Sequence, residues 1–209
     1  MKAPAAQLAR PADPGRLAMW IFIATEVLFF GGLFVAYMHG RMHWPQGFAS
    51  ASRHTDVLLG TLNTAVLLGS SALVAMAADC AGSTGEVTHR RATVCLMLAT
   101  AGLGIVFLAI KGLEYGKEWR EGLFPGPGFR GDGEQGEQLF FALYFVMTAV
   151  HALHLVIGIG IVLVLAQGRW RGRAWASAAR IDIAALYWHF VDIVWVFLYP
   201  LLYLVSRNR

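Results

Sequence analysis

Long apolar runs, separated by short polar blocks, dominate the pattern along this chain. Five runs are long enough to cross a bilayer, which takes about 20 apolar residues: 17–38, 56–78, 92–114, 138–166 and 181–205. The runs are continuously apolar and do not alternate, so they predict helices and not the strands of a barrel. The fold class is all-α, an integral membrane bundle of five transmembrane helices. The fourth run is the longest and predicts tilt or a projecting end. Residues 1–16, with Pro4, Pro11 and Pro14, read as a short cytoplasmic tail, and residues 17–209 as the five-helix membrane domain. The first run is longer than a signal-peptide core and has no A-x-A exit, so it is expected to stay in the membrane.

Composition agrees with this pattern. Hydrophobic residues make up 57% of the 209 and charged residues only 14%, well under the quarter usual for soluble domains. Lys and Arg number 17 against 13 acids, an excess that membrane-flanking arginines account for without nucleic acid. Cys80 and Cys95 form no C-x-x-C pair and no metal spacing. Five spans put the termini on opposite sides. The loop 169–180 carries Arg169, Arg171, Arg173 and Arg180 and no acid. By the positive-inside rule it faces the cytoplasm, with the amino terminus, and the carboxyl terminus lies outside. The loop 115–137, broken by Gly126-Pro127-Gly128, is then external and irregular. It has no G-K-[ST] and is no phosphate loop.

Polar side chains inside the spans are the candidate sites. Glu26 lies roughly 13 Å from the cytoplasmic end of the first helix at 1.5 Å per residue. A carboxyl at that depth is protonated or hydrogen-bonded within protein. Its role is either a lipid- or proton-linked site or a satisfied structural group. His151 and His154, three apart, share a helix face, but no third ligand motif stands nearby to complete a metal site. His189 and Asp192 share a face in the same way. His154 and Asp192 both fall roughly 16–18 Å deep, which allows a pair between the fourth and fifth helices. Lys111 and Glu114 are expected to form an interfacial pair with a snorkelling Lys. Thr61, Asn63 and Thr64 are expected to hydrogen-bond across helices. Gly31-Gly32, Gly102/Gly104 and Gly158/Gly160 are expected to allow close helix approach. Trp20, Trp44, Trp119, Trp170 and Trp175 fall near the expected membrane edges.

Four of these segments, in order, resemble one family. They are Thr25-Glu26-Val27-Leu28-Phe29-Phe30-Gly31, Lys111-Gly112-Leu113-Glu114-Tyr115, Met147-Thr148-Ala149-Val150-His151-Ala152-Leu153-His154 and Trp188-His189-Phe190-Val191-Asp192-Ile193-Val194-Trp195. Together they resemble subunit III of the haem-copper (cytochrome c) oxidases, in a short five-helix bacterial form. The five spans would correspond to the last five of seven in longer members. The chain departs from the pattern at Ala149 and Ala152, where the family often has Gly.

The resemblance implies a non-catalytic subunit of a terminal oxidase in a bacterial plasma membrane, with no cofactor of its own. It implies packing against subunit I, which would hold the haem and copper, with subunit II alongside. It also implies bound structural phospholipids and support of proton uptake and of active-site durability during oxygen reduction. Glu26 takes the place of the family's buried carboxylate, near lipid and subunit I. Arg169, Arg171, Arg173 and Arg180 are expected to hold lipid headgroups or to set topology alone. Relatives occur with quinol oxidases and beside nitric oxide reductases, so donor and acceptor stay open. Two other classes remain at this point. One is a small transporter or channel lined by Glu26, His154 and Asp192. The other is a metalloenzyme built on His151, His154 and His189.

Overall fold

The computed structural model describes residues 14–83 and 87–204. Most of the expected tail, with Lys2 and Arg10, lies outside the described residues, as do Val205, Arg207 and Arg209. Every regular element among the described residues is helical: α1 (Pro14–His43), α2 (Pro45–His54), α3 (Val57–Gly82), α4 (Val87–Glu121), α5 (Glu137–Trp170) and α6 (Ala178–Tyr199), continued by a π-helical turn, Pro200–Leu204. The five long helices are all apolar and long enough to span a membrane. α4 and α5 run 35 and 34 residues, or roughly 50 Å each at 1.5 Å per residue. Both must project beyond a hydrocarbon core about 30 Å thick. α4 continues well past the expected end of its span, through Lys117, Glu118, Trp119 and Arg120, and stops where Gly122 adopts φ 75°.

α3 packs on α4 and α6, α4 on α5, and α5 on α6. α6 is the central helix: 61% of its most apolar stretch is buried inside the protein, against 6% for α1. α1 leans on α5 and α6 by one edge and turns Leu17, Ile21, Leu28 and Val35 outward. Of the paired glycines, only two meet a neighbour closely. A Cβ on Gly104 would sit 3.0 Å from the Trp188 ring, and one on Gly158 would sit 3.3 Å from it. Gly31, Gly32, Gly102 and Gly160 face open space, so the expectation of close approach fails there.

Pro200 removes a backbone donor near the carboxyl-terminal end of α6, and the chain widens into the π turn. Leu202 and Tyr203 point inward from it. Tyr37 of α1 donates its hydroxyl proton to the Leu201 carbonyl at 2.7 Å, fastening the turn.

α2, which the apolar pattern did not reveal, closes the same end of the bundle with the loop 122–136. Pro45 opens it at the first helical position, and Asp56 then caps α3 by accepting from the Leu58 and Leu59 N–H groups. Phe48 packs edge-on against Tyr37 and Phe140. Gly47 lets the loop backbone approach: a Cβ there would fall 2.1 Å from the Gln135 carbonyl oxygen.

Asp132 ties loop to helix, accepting from Ser50 Oγ at 2.7 Å and meeting His54 Nε2 at 3.2 Å. The Ser50 hydrogen bond, and then His54, hold the Asp132 carboxyl below the usual carboxylate range. A depressed carboxyl stabilises the fold above its unfolded pKa of about 3.9, and the contribution is lost as pH falls through the lower folded value. The melting temperature of Asp132→Ala should therefore lie below wild type at neutral pH. The gap should close once the pH drops under about 4; a gap independent of pH would mean that the carboxylate charge contributes nothing.

Candidate functional site

The polar side chains within the spans sort into three centres. The first lies where the edge of α1 meets α5. Glu26 Oε2 stands 3.2 Å from His154 Nε2, with the two side chains 19% and 14% exposed. The other ring nitrogen, His154 Nδ1, lies 2.8 Å from the Val150 carbonyl oxygen. A carbonyl can only accept, so Nδ1 carries a proton. A proton shared between Nε2 and Oε2 would leave the pair neutral overall, either as imidazolium and carboxylate or as imidazole and carboxylic acid, and would let a carboxyl sit at this depth. Phe30 packs on the His154 ring at 5.6 Å, and Tyr187 donates to the His154 carbonyl at 2.9 Å, so α6 helps to set this turn of α5.

The second centre is a ladder between α3 and α6. Thr61 meets the Tyr199 hydroxyl at 2.6 Å. Trp195 Nε1–H donates to Thr64, Trp188 Nε1–H donates to Ser70, and Ser71 Oγ meets His189 Nδ1 at 2.6 Å. Ser71 also faces Asp192, whose Oδ1 has no partner among the described residues. His189 and Asp192 thus share a face, as their spacing predicts, and the face is turned to α3. The Asn63 side chain, also expected to bond across helices, is fully buried with neither polar atom paired among the described residues.

The third centre lies at the end of the bundle where α4 stops and α5 begins. Lys111 Nζ donates three hydrogen bonds of 2.9 Å, to Glu114 Oε2 and to the Tyr144 and Tyr203 hydroxyls. Tyr203 in turn donates to Glu114 Oε1 at 2.7 Å. The ammonium also lies 4.8–5.6 Å from the ring centroids of Tyr115, Tyr144, Trp195 and Tyr203, within cation–π range. The expected Lys111–Glu114 pair is present, but Lys111 is only 5% exposed. It does not snorkel, because its three protons find acceptors inside. Tyr144, Tyr203 and Glu118 were not anticipated. One signal was available: Tyr144, Thr148 and His151 recur at i, i+4 and i+7 along α5, a single helical stripe.

The expected pairing of His154 with Asp192 is corrected by this geometry. Equal depth does not set the direction around the helix: His154 points to α1, and Asp192 points to α3. Nor do the histidines converge. His151 is enclosed beside Phe107 and Trp195 with neither ring nitrogen paired among the described residues, His154 faces Glu26, and His189 faces Ser71. Among the described residues no group of three or more His, Cys, Asp or Glu side chains is placed to hold a metal ion. Glu26, His154 and Asp192 likewise do not line one path. Among the arginines, Arg169 reaches the Ala81 carbonyl at 3.5 Å and Arg180 the Trp175 carbonyl at 2.8 Å, while Arg171 and Arg173 are exposed.

Three double-substitution series check these centres by thermal unfolding in detergent. Lys111→Met leaves Glu114 buried without its cation and should cost about 3–5 kcal/mol. Adding Glu114→Gln should return much of that loss; a double variant worse than the single would exclude the pairing. Glu26→Gln and His154→Gln should be strongly non-additive. His154→Gln and Asp192→Asn should add to within about 0.5 kcal/mol, as separate sites do.

Comparison with known proteins places the sequence. The sequence model of the family described as Cytochrome c oxidase subunit III matches residues 12–207. Cytochrome c oxidase subunit 3 of Thermostichus vulcanus is 34% identical over 196 residues, covering 91% of this chain and 87% of the relative. Its human counterpart is 33% identical over 204 residues, covering 92% of this chain and 70% of the relative. The heme-copper oxidase subunit I+III of Aeropyrum pernix is 32% identical over 208 residues. The match covers 93% of this chain but only 23% of that longer protein.

Proposed function

We infer the function from the family: this chain belongs to the cytochrome c oxidase subunit III family, as a multi-pass membrane protein of five spans. In a bacterial plasma membrane, with its amino terminus cytoplasmic and its carboxyl terminus periplasmic, it packs against the subunit I that carries haem and copper, with subunit II in the same complex. It contributes no redox centre. It holds phospholipid at its surface and supports proton uptake and the durability of the oxygen-reducing site next door.

The observation that carries this reading is the Glu26–His154 contact at the thinly packed edge of α1. A one-proton pair that is neutral in both of its forms can sit at a lipid- or partner-facing edge without an exposed charge. It can also pass its proton between imidazole and carboxyl at little electrostatic cost. The outward apolar face of α1 supports the packing role, since a face of that size marks a lipid or protein contact. The relative from Aeropyrum pernix bears the names of subunits I and III in one chain, which supports subunit I as the partner.

A tagged chain purified from its native membrane in mild detergent should bring down a haem-containing subunit I in stoichiometric amount. A stable oligomer of this chain alone, without haem, would overturn the assignment. Within the assembled complex, Glu26→Gln keeps the shape but fixes the charge. It should slow turnover or shorten enzyme lifetime, most at high pH, where protons are scarce. Haem reduction and oxygen binding should be unchanged. Glu26→Ala should in addition loosen the subunit. If Gln is tolerated at every pH and only Ala does harm, the pair is structural.

A further inference from the structure

The faces of α4 and α5 away from α1 form an open groove of about 650 Å³ that none of the three polar centres uses. Val94, Cys95 and Leu98 of α4 form one wall, and Val164, Gln167 and Trp170 of α5 the other. Cys95, Leu98, Val164 and Trp170 are exposed there. The depth and chemistry of these walls fit a hydrocarbon chain.

The end of the groove has a different chemistry. One helical turn beyond Val94 and Cys95 stand Arg90 and Arg91, and one turn beyond Gln167 stands Arg171; helical register puts all three at the mouth. Arg90 is built into the mouth. Its guanidinium crosses from α4 to the last turn of α5, where a Cβ on Gly172 would lie 3.3 Å from Nη1. Gly172, at φ 65°, is the residue that leaves room for it. The Arg90 Nε is buried and has no hydrogen-bond partner among the described residues. Neither wall has a compensating acid: no Asp or Glu occurs from 87 to 113 or from 138 to 180. Three guanidinium groups, one of them with a sheltered donor unmet, stand over an apolar trough at the membrane edge beside an interfacial Trp.

We propose that this groove is a binding site for one anionic glycerophospholipid, its phosphate held by Arg90, Arg91 and Arg171 and an acyl chain lying along Cys95, Leu98 and Val164. The guanidinium fork suits phosphate oxygens, and the apolar walls suit the chain. A zwitterionic lipid fits the walls equally but brings a cationic group to a mouth that is already cationic, so the site selects for net negative charge. This deepens the lipid-holding part of the proposed function and assigns it to a place remote from the Glu26–His154 edge.

Native mass spectrometry of the purified complex, delipidated and titrated with phosphatidylglycerol or phosphatidylcholine of the same chains, tests it. Wild type should retain phosphatidylglycerol in preference. Arg90→Gln and Arg171→Gln should weaken that retention on the order of fivefold each. Val164→Trp, which fills the trough and leaves the mouth intact, should weaken it too. Arg120→Gln, at the opposite end of α4, should not. Equal retention of both lipids by wild type would overturn the proposal, and that comparison needs no variant to fold. An Arg120→Gln loss matching that of Arg90→Gln would reduce the effect to general surface charge and overturn the site. So would a Val164→Trp protein that binds normally. Failure on any of these leaves the partnership with subunit I untouched, because co-purification reads the partner and not the lipid.

Discussion

A buried ammonium holds one half of this bundle to one arrangement. Removing Lys111 from water costs several kcal/mol, and only a full set of partners offsets it. Those partners come from different places: Glu114 from one turn further along α4, Tyr144 from α5, and Tyr203 from the π turn that follows α6. Three helices must therefore be in register before any of the three bonds is worth its desolvation. The π turn is part of this condition, because it is the segment that aims Tyr203 inward. Tyr37 then secures the same turn from α1.

This arrangement divides the molecule by function. α3, α4, α5 and α6 are joined by the Lys111 hub and by the Thr, Ser, Trp and His ladder of α3 and α6. Van der Waals packing and interhelical hydrogen bonds are the forces available in lipid, and these four helices hold most of both. α1 has little of either. Its polar contacts to the bundle include the Glu26–His154 pair, the Tyr37 hydroxyl and an exposed Arg16–Asp182 pair, and much of its surface is turned away from the bundle. A helix attached so lightly is suited to meet a larger neighbour.

The five spans were legible because a bilayer demands long unbroken apolar runs, and nothing in a soluble core imitates them. α2 was not: its ten residues, with Gly47, Ser50, Ser52 and Arg53 among them, form no long apolar run, and the packing of Phe48 under Tyr37 and Phe140 makes the segment a buried cap. Residue depth along each helix was also legible, and it correctly marked Glu26, His154, His189 and Asp192 as groups needing partners. The direction around the helix was not, since a few residues' uncertainty in where a span begins rotates nothing but leaves every neighbour undetermined. His154 was accordingly matched to Asp192 by depth when its partner is Glu26. Tyr144 and Tyr203 escaped notice for another reason: a tyrosine in an apolar run is indistinguishable from core aromatic filling until the hydroxyl's target is known.

The Glu26–His154 contact also sets conditions on how the chain is made. α1 precedes α5 in the chain, so the histidine partner of Glu26 exists only after α5 has been synthesised. During that interval Glu26 has no imidazole beside it. A charged group at such a position costs about 2.5–3.5 kcal/mol even on the lenient scale of translocon-guided entry. Docking of α5 against α1 supplies the partner, and a chain stalled before α5 would hold an unpartnered carboxyl in lipid.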